Sequence, residues 1–179
     1  MSTATVTGVI SETLPEELDR IFREHYQLVY RTAFGVTGRA EDAEDVLQTL
    51  FMQLLRRGVT KALMRNPKAY LYRSAVNLSL NTIRKRQYVA SSDDLESLET
   101  AAPSDDTQLL EELHKHLYAA IAQLDADSAQ MLVLRYLHDY SDSDIARLLG
   151  KSRGGVAVKL FRLRSRLKKL ICELQGESR

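Results

Sequence analysis

Between Tyr140 and Lys169 the chain reads YSDSDIARLLGKSRGGVAVKLFRLRSRLKK, and few folds are compatible with that order of residues. Ser141 followed three residues later by Asp144 is a variant of the capping box, in which a side-chain oxygen satisfies the free N–H groups of a first helical turn. A helix is expected to begin there. Ile145, Leu148 and Leu149 give it one apolar edge, and Gly150 supplies the residue that most easily takes positive φ just past a helix end. Ser152 is positioned to cap a second helix, whose apolar residues Val156, Leu160, Leu163, Leu167, Leu170 and Leu174 recur at intervals of 4, 3, 4, 3 and 4. Two helices joined by a short glycine-containing turn form a helix-turn-helix.

The second helix is also strongly cationic. From Lys151 to Lys169 there are eight basic residues and no acidic one, with Lys159, Arg162, Arg166 and Lys169 along one face. A helix of one sign repels itself unless a polyanion lies against it. In a DNA-binding helix-turn-helix the start of the second helix enters the major groove, and basic residues further along meet phosphates.

Charge is segregated along all 179 residues, although the net value is only +1. Residues 1–86 carry +4, residues 87–108 carry −6 and residues 109–179 carry +3. No apolar run is long enough to cross a bilayer, and Met1 to Ile10 lacks the basic and hydrophobic regions of a signal peptide. A cytoplasmic protein is expected. The single cysteine, Cys172, excludes an internal disulfide and reads as a small core residue.

Taken in order, residues 1–13 promise little structure. Pro15 then favours a helix start, with Glu16, Glu17 and Asp19 at the positive end of the helix dipole. A second helix is expected over Glu41 to Arg57, its apolar face including Val46, Leu50, Phe51 and Leu54. Glu41, Asp42, Glu44 and Asp45 crowd its first turn, where negative charge is welcome. With no His or Cys beside them they read as a solvated turn or as an acidic patch for a basic partner. His25, His114, His116 and His138 likewise lack ligand spacing, and no metal or cofactor is expected.

Between Val46 and Ser92 the chain has nine Lys or Arg residues and no acid. Asn66-Pro67 reads there as an N-cap and first helical residue, opening a helix to about Gln87 with Leu71, Ala75, Leu78 and Thr82 on one face. On another face Tyr70, Arg73, Asn77, Asn81 and Arg84 line up. Asparagine is a mediocre helix former, so two in mid-helix point to a site that uses amides. Rings interleaved with Arg and Asn suit single-stranded nucleic acid, whose bases stack and show their edges. Residues 87–108, rich in Ser, Asp and Glu, have the composition of a linker. Beyond it Leu109, Leu110, Leu113, Leu117, Ile121 and Leu124 mark one helix, and Asp125 and Asp127 precede another. The fold class is therefore all-α: two small helical domains, each with a basic site, joined by a flexible acidic tether. The boundaries expected are 1–13 disordered, 14–88 first domain, 89–107 linker, 108–175 helix-turn-helix domain and 176–179 tail.

These residues resemble the extracytoplasmic-function sigma factors of bacterial RNA polymerase, over about Leu18 to Leu170. DAEDVLQTLF (Asp42 to Phe51) is similar to the family's segment that binds the coiled coil of the polymerase β′ subunit. AYLYRSAVNLSLNTIRKR (Ala69 to Arg86) is similar to the segment that melts the minus-10 element and reads its non-template single strand. Arg135 to Leu167 is similar to the domain that binds minus-35 duplex DNA and the β flap. The resemblance implies polymerase contacts at Asp42, Asp45, Gln48 and Phe51. It implies minus-10 contacts at Lys61, Arg65, Lys68, Tyr70, Arg73, Asn77, Asn81 and Arg84, with residues 61–68 as a loop that captures a flipped base. Minus-35 contacts would come from Ser152, Arg153, Gly155, Ala157, Val158, Lys159, Phe161, Arg162, Arg164 and Arg166. Ala157 and Val158 stand where a basic residue and a serine are frequent, and their short apolar side chains suit thymine methyl groups rather than guanine. Thr49, Leu55 and Asp142 also depart from the usual pattern. The resemblance further implies an anti-sigma factor as inhibitory partner and no catalytic activity. The alternative is a helix-turn-helix repressor or activator with a sensing or dimerising N-terminal domain. A nucleic-acid enzyme is a third class, for which the sequence offers no metal or nucleophile constellation.

Overall fold

Most of the start and stop signals in the sequence become helix ends. The computed structural model describes residues 6–92, 114 and 116–177, and among them there is no strand. Helix α1 is Val6–Thr37, α2 Ala40–Arg57, α3 the single turn Lys61–Arg65, and α4 Pro67–Ser92. A short α5 covers residues 116–122, followed by α6 Ala126–Tyr136, α7 Asp142–Leu149 and α8 Arg153–Glu177. The tether's centre and Leu109, Leu110 and Leu113 lie outside the described residues.

Three boundaries differ from expectation. Helix α1 reaches back to Val6, so much of the segment expected to be disordered is helical and Pro15 sits inside the helix. The apolar repeat of Val6, Val9, Ile10 and Leu14 continues the α1 pattern, which had been counted only from Leu18. Residues 61–68, expected as a loop, contain α3, because the Thr60 hydroxyl accepts the Leu63 N–H at 3.2 Å and caps a turn. Helix α4 runs through Ser92, into the stretch assigned to the linker. Its start is as expected: the Asn66 side chain accepts the Ala69 N–H at 3.0 Å, with Pro67 next.

Helices α1, α2 and α4 pack together, and α3 closes one end. Their core holds Leu18, Ile21, Leu50, Leu54, Leu63 and Leu71, with Phe22 meeting Phe51 edge-on at 4.6 Å. The half-buried Arg86–Asp42 pair, 2.5 Å apart, ties α4 to α2. The second bundle stacks α6, α7 and α8 around Met131, Leu134, Ile145, Val156, Leu160 and Leu163.

The two bundles do not stand apart. The core of the second continues into Val36 of α1 and into Tyr72, Val76, Leu80 and Ile83 of α4, all at most 1% exposed. Helix α4 is thus buried along two stripes: Leu71 and Ala75 face its own bundle, and the 72, 76, 80, 83 stripe faces the other. The sequence reading had found only the first.

Candidate nucleic-acid interface

The helix-turn-helix is held by local chemistry. The Ser141 hydroxyl accepts the Asp144 N–H at 3.2 Å and donates to the Asp144 carboxylate at 2.5 Å. Gly150 takes the left-handed conformation (φ 66°), and the Lys151 N–H returns to the Ala146 carbonyl at 2.8 Å. The Ser152 hydroxyl accepts the Gly155 N–H at 3.2 Å, one turn into α8. Val156, Leu160 and Leu163 anchor α8 from below. That register leaves Ser152, Arg153, Gly155, Ala157, Val158, Phe161, Arg162, Arg164 and Arg166 exposed, with Lys159 half-buried.

Phe161 is 70% exposed and Val158 51%, so the outward face of α8 mixes apolar tips with cations. Val158, Lys159, Arg162 and Arg166 line one surface hollow together with Asp125 and Ser128. Arg164 is separated from that group: it lies over the Tyr136 ring at 5.8 Å and hydrogen-bonds its hydroxyl. Two residues along a helix turn the side chain through about 200°, which is why Arg162 and Arg164 diverge.

Two of the lysines are already paired. Asp127 accepts from Lys151 at 2.7 Å and from Lys159 at 3.2 Å, and Asp125 lies 3.7 Å from Lys159. Hydrogen bonding from Lys151, helped by Lys159, holds the Asp127 carboxyl below its usual range. At Asp125 burial pushes upward, but hydrogen bonds from Ser128 and the charge of Lys159 outweigh it and the carboxyl is also lowered. Both acids therefore stay ionised beside α8 and draw Lys151 and Lys159 toward α6. The sequence analysis, which read Asp125 and Asp127 only as a helix start, missed this.

On the first bundle, Lys61, Arg65 and Lys68 are exposed around α3, with the Lys68 ammonium 5.2 Å from the Tyr140 ring centre. Tyr70 is half-buried against the core, beside Leu54, Gly58 and Thr60. Arg73, Asn77, Asn81 and Arg84 remain exposed along α4, as their spacing required. Three of these four, however, reach the second bundle. Arg73 donates to the Leu148 carbonyl at 3.3 Å, and the Gln130 amide donates to the Asn77 side-chain oxygen at 3.4 Å. Arg84 donates to the carbonyls of Ala122 at 2.9 Å and Leu124 at 2.6 Å. Helix C-terminal carbonyls carry partial negative charge, so they satisfy a guanidinium much as phosphate oxygens do.

The third group, on α2, divides. Asp45 and Gln48 are exposed, whereas Asp42 is engaged by Arg86 and Phe51 is 9% exposed within the core. Met52 (43% exposed) and Leu55 (59%) continue the Asp45–Gln48 line at helical spacing and supply the apolar part of that face. Their signal in the sequence was position alone, an apolar pair off the core stripe.

His138, which lacks metal-ligand spacing in the sequence, is a junction residue. Its Nε2 is 2.9 Å from the Thr32 hydroxyl of α1, and its ring meets Tyr72 at 6.0 Å. Burial first, then the charges of Arg31 and Lys68, lower its pKa from the usual 6.5, against a small opposite effect of Asp139. Cys172, expected in the core, is exposed, because α8 leaves the bundle beyond Leu170. It borders an apolar groove of about 610 Å³ between α5, α6 and the end of α8. Among the described residues no three His, Cys, Asp or Glu side chains converge as metal ligands, and no helix is long and apolar enough to cross a membrane.

Comparison with known proteins matches this arrangement in two blocks. Residues 21–88 match the family model described as Sigma-70 region 2, and residues 114–167 match Sigma-70, region 4. The ECF RNA polymerase sigma factor SigL of Mycobacterium tuberculosis is 30% identical over 144 residues, covering 78% of this chain and 80% of the relative. SigM of the same species, also an ECF RNA polymerase sigma factor, is 28% identical over 153 residues, covering 86% and 76%. Among solved structures, the sigma factor RpoE of Bartonella quintana, crystallised with the anti-sigma factor NepR, aligns over 87% of this chain and 97% of that one. Its identity is 21% and its TM-score 0.49.

Proposed function

Because the chain belongs to the extracytoplasmic-function RNA polymerase sigma factors, and so directs promoter-specific initiation of transcription, we propose a division of labour among its three surfaces. Asp45, Gln48, Met52 and Leu55 on α2 face the polymerase β′ coiled coil, with Asp42 and Phe51 shaping that face from beneath. The α3–α4 surface, from Lys61 through Arg84, meets the minus-10 element and its displaced single strand. The outward face of α8, chiefly Val158, Phe161, Arg162 and Arg166, enters the minus-35 major groove, and the second bundle also meets the β flap.

The observation that carries this reading is the register of α8. Its three inward leucine and valine anchors leave a capped, acid-free cationic face turned outward at the helix-turn-helix. Ala157 and Val158 add short apolar contacts suited to thymine methyl groups. The domains proposed are the bundle of α1 to α4 and the bundle that ends in the helix-turn-helix, with the residues beyond Ser92 as tether. Each bundle binds its element weakly, and tethering both to one enzyme raises the effective concentration of the second contact. The chain contributes no catalytic group, acts in the cytoplasm beside the polymerase, and is restrained by an anti-sigma factor.

Run-off transcription with core polymerase over a pool of promoters tests the assignment. New start sites that appear only with this chain are the expected result. Promoter duplex binding that needs no polymerase, with no new transcripts, refutes it in favour of a repressor.

A further inference from the structure

We propose that Asp125 and Asp127 are positioning residues for promoter choice: they hold Lys151 and Lys159 away from DNA phosphates, so that the end of α8 entering the groove binds by the bases it meets rather than by charge. This rests on the sigma-factor reading of α8 and deepens it.

The cations of α8 divide by position. At its start, Asp127 accepts from Lys151 at 2.7 Å and from Lys159 at 3.2 Å, and Asp125 lies 3.7 Å from Lys159. Further along, Arg162 and Arg166 are exposed and, among the described residues, carry no ion pair, although they edge the same hollow as Asp125. The start of a recognition helix is the part that meets base edges. There the lysines are neutralised from within, and the free side chains are Ala157, Val158 and Phe161. Both carboxyls are held below their usual range, so the neutralising charge persists at neutral pH.

Holding the fold together does not account for the two acids. Val156, Leu160 and Leu163 anchor α8 in the core, and ion pairs between side chains a third to about half exposed add little to stability. Asp125 caps α6 by accepting the Ser128 N–H at 2.9 Å, but asparagine or serine caps a helix as well, so the cap needs no charge. What the acids add is discrimination. Binding through phosphates is the same for every sequence, and apolar contacts with thymine methyl groups are not. On the correct element Val158 and Phe161 fix the seat of α8. On any other sequence α8 shifts freely until a free lysine meets a phosphate, so unpaired lysines strengthen wrong seats more than the right one. The carboxylates also repel phosphates brought against them in such seats, which is selection by penalty on the wrong partner.

A competition tests this. Run-off transcription with core polymerase first identifies a promoter, and its template is then mixed with one whose minus-35 element is scrambled. Asp125→Asn/Asp127→Asn keeps the cap and frees both lysines. Two freed phosphate contacts change affinity about twelvefold between about 50 and 200 mM salt, so its preference for the native template is expected to fall about threefold or more at the lower salt and less at the higher. Asp127→Glu keeps the charge and the preference. Adding Lys151→Ala and Lys159→Ala to the double asparagine variant removes the freed cations and restores the preference. An unchanged preference in the double asparagine variant overturns the proposal. So does a loss that the added alanines fail to reverse, because the acids would then act through the fold of α6 and not through the lysines. A wild-type chain that starts no transcripts with core polymerase defeats the sigma reading itself, and with it this inference, before any variant is made.

Discussion

The pairing of Lys151 and Lys159 with Asp127 predicts that the cations of α8 are unequal in DNA binding. Arg162 is exposed and has no ion pair among the described residues, whereas Lys159 is shared between Asp125 and Asp127. Each phosphate neutralised releases counterions and steepens the fall of log K with log salt by about 0.9. Between 50 and 200 mM salt, one such contact corresponds to a further ~3.5-fold loss of affinity. Arg162→Ala is therefore expected to bind minus-35 duplex more weakly at low salt and to flatten the slope by about 0.9. Lys159→Ala is expected to flatten it by less than half as much, because a lysine held by two carboxylates gives little of its charge to a phosphate. Asp127→Asn frees Lys151 and leaves Lys159 held by Asp125 alone, and should tighten binding at low salt while making the slope steeper. Fluorescence anisotropy on a labelled duplex, titrated at four or five salt concentrations, measures all three. Equal slopes for Arg162→Ala and wild type would remove Arg162 from the phosphate contacts. Equal effects of Arg162→Ala and Lys159→Ala would show that the acids do not restrain Lys159 at the DNA.

His138 faces Thr32 and Arg31 from α1 and Lys68 and Tyr72 from α4, with Asp139 and Tyr140 beside it, and its lowered pKa means that the packed state favours the neutral ring. Its contribution to packing is present above the ordinary value of 6.5 and is lost as pH falls from there through the lowered one, so interdomain distance by energy transfer should grow on acidification and His138→Gln should abolish that dependence. Leu55→Glu adds charge at a 59% exposed position, and it should weaken core-polymerase binding about tenfold while leaving the thermal midpoint within a degree or two, as surface substitutions do. Leu160→Ala empties a 2% exposed core site under α8 and should cost about 2–5 kcal/mol in urea denaturation.

How much of this was legible in the sequence follows the range of the forces involved. Ser141, Gly150 and Ser152 act on residues three or four positions away, and the helix ends they announce are where the structure has them. The outward face of α8 was equally legible, since an apolar stripe at intervals of 3 and 4 fixes what faces away from it. Long-range pairings left weaker traces. Nothing local to Asp42 announces Arg86, 44 residues on, and the carboxylate that spacing offered to a partner is spent inside the bundle. The 72, 76, 80, 83 stripe was visible as spacing, but its neighbours 71, 75, 78 and 82 already explained a buried face. A helix covered on two sides looks merely hydrophobic until the second cover is known.

That second cover bears on affinity as well as on shape. The guanidinium groups of Arg73 and Arg84 bond carbonyl oxygens at the ends of α7 and α5, and on promoter DNA they would bond phosphate or base oxygens. The two sets of bonds cannot coexist, so each is measured only as a difference from the other. Substitutions at Arg73 or Arg84 remove both sets together and should weaken the packing of the two bundles and promoter binding alike. Substitutions of Val158, Phe161 or Arg162 on the outward face of α8 should reduce promoter binding while leaving that packing unchanged, because those exposed side chains take no part in it.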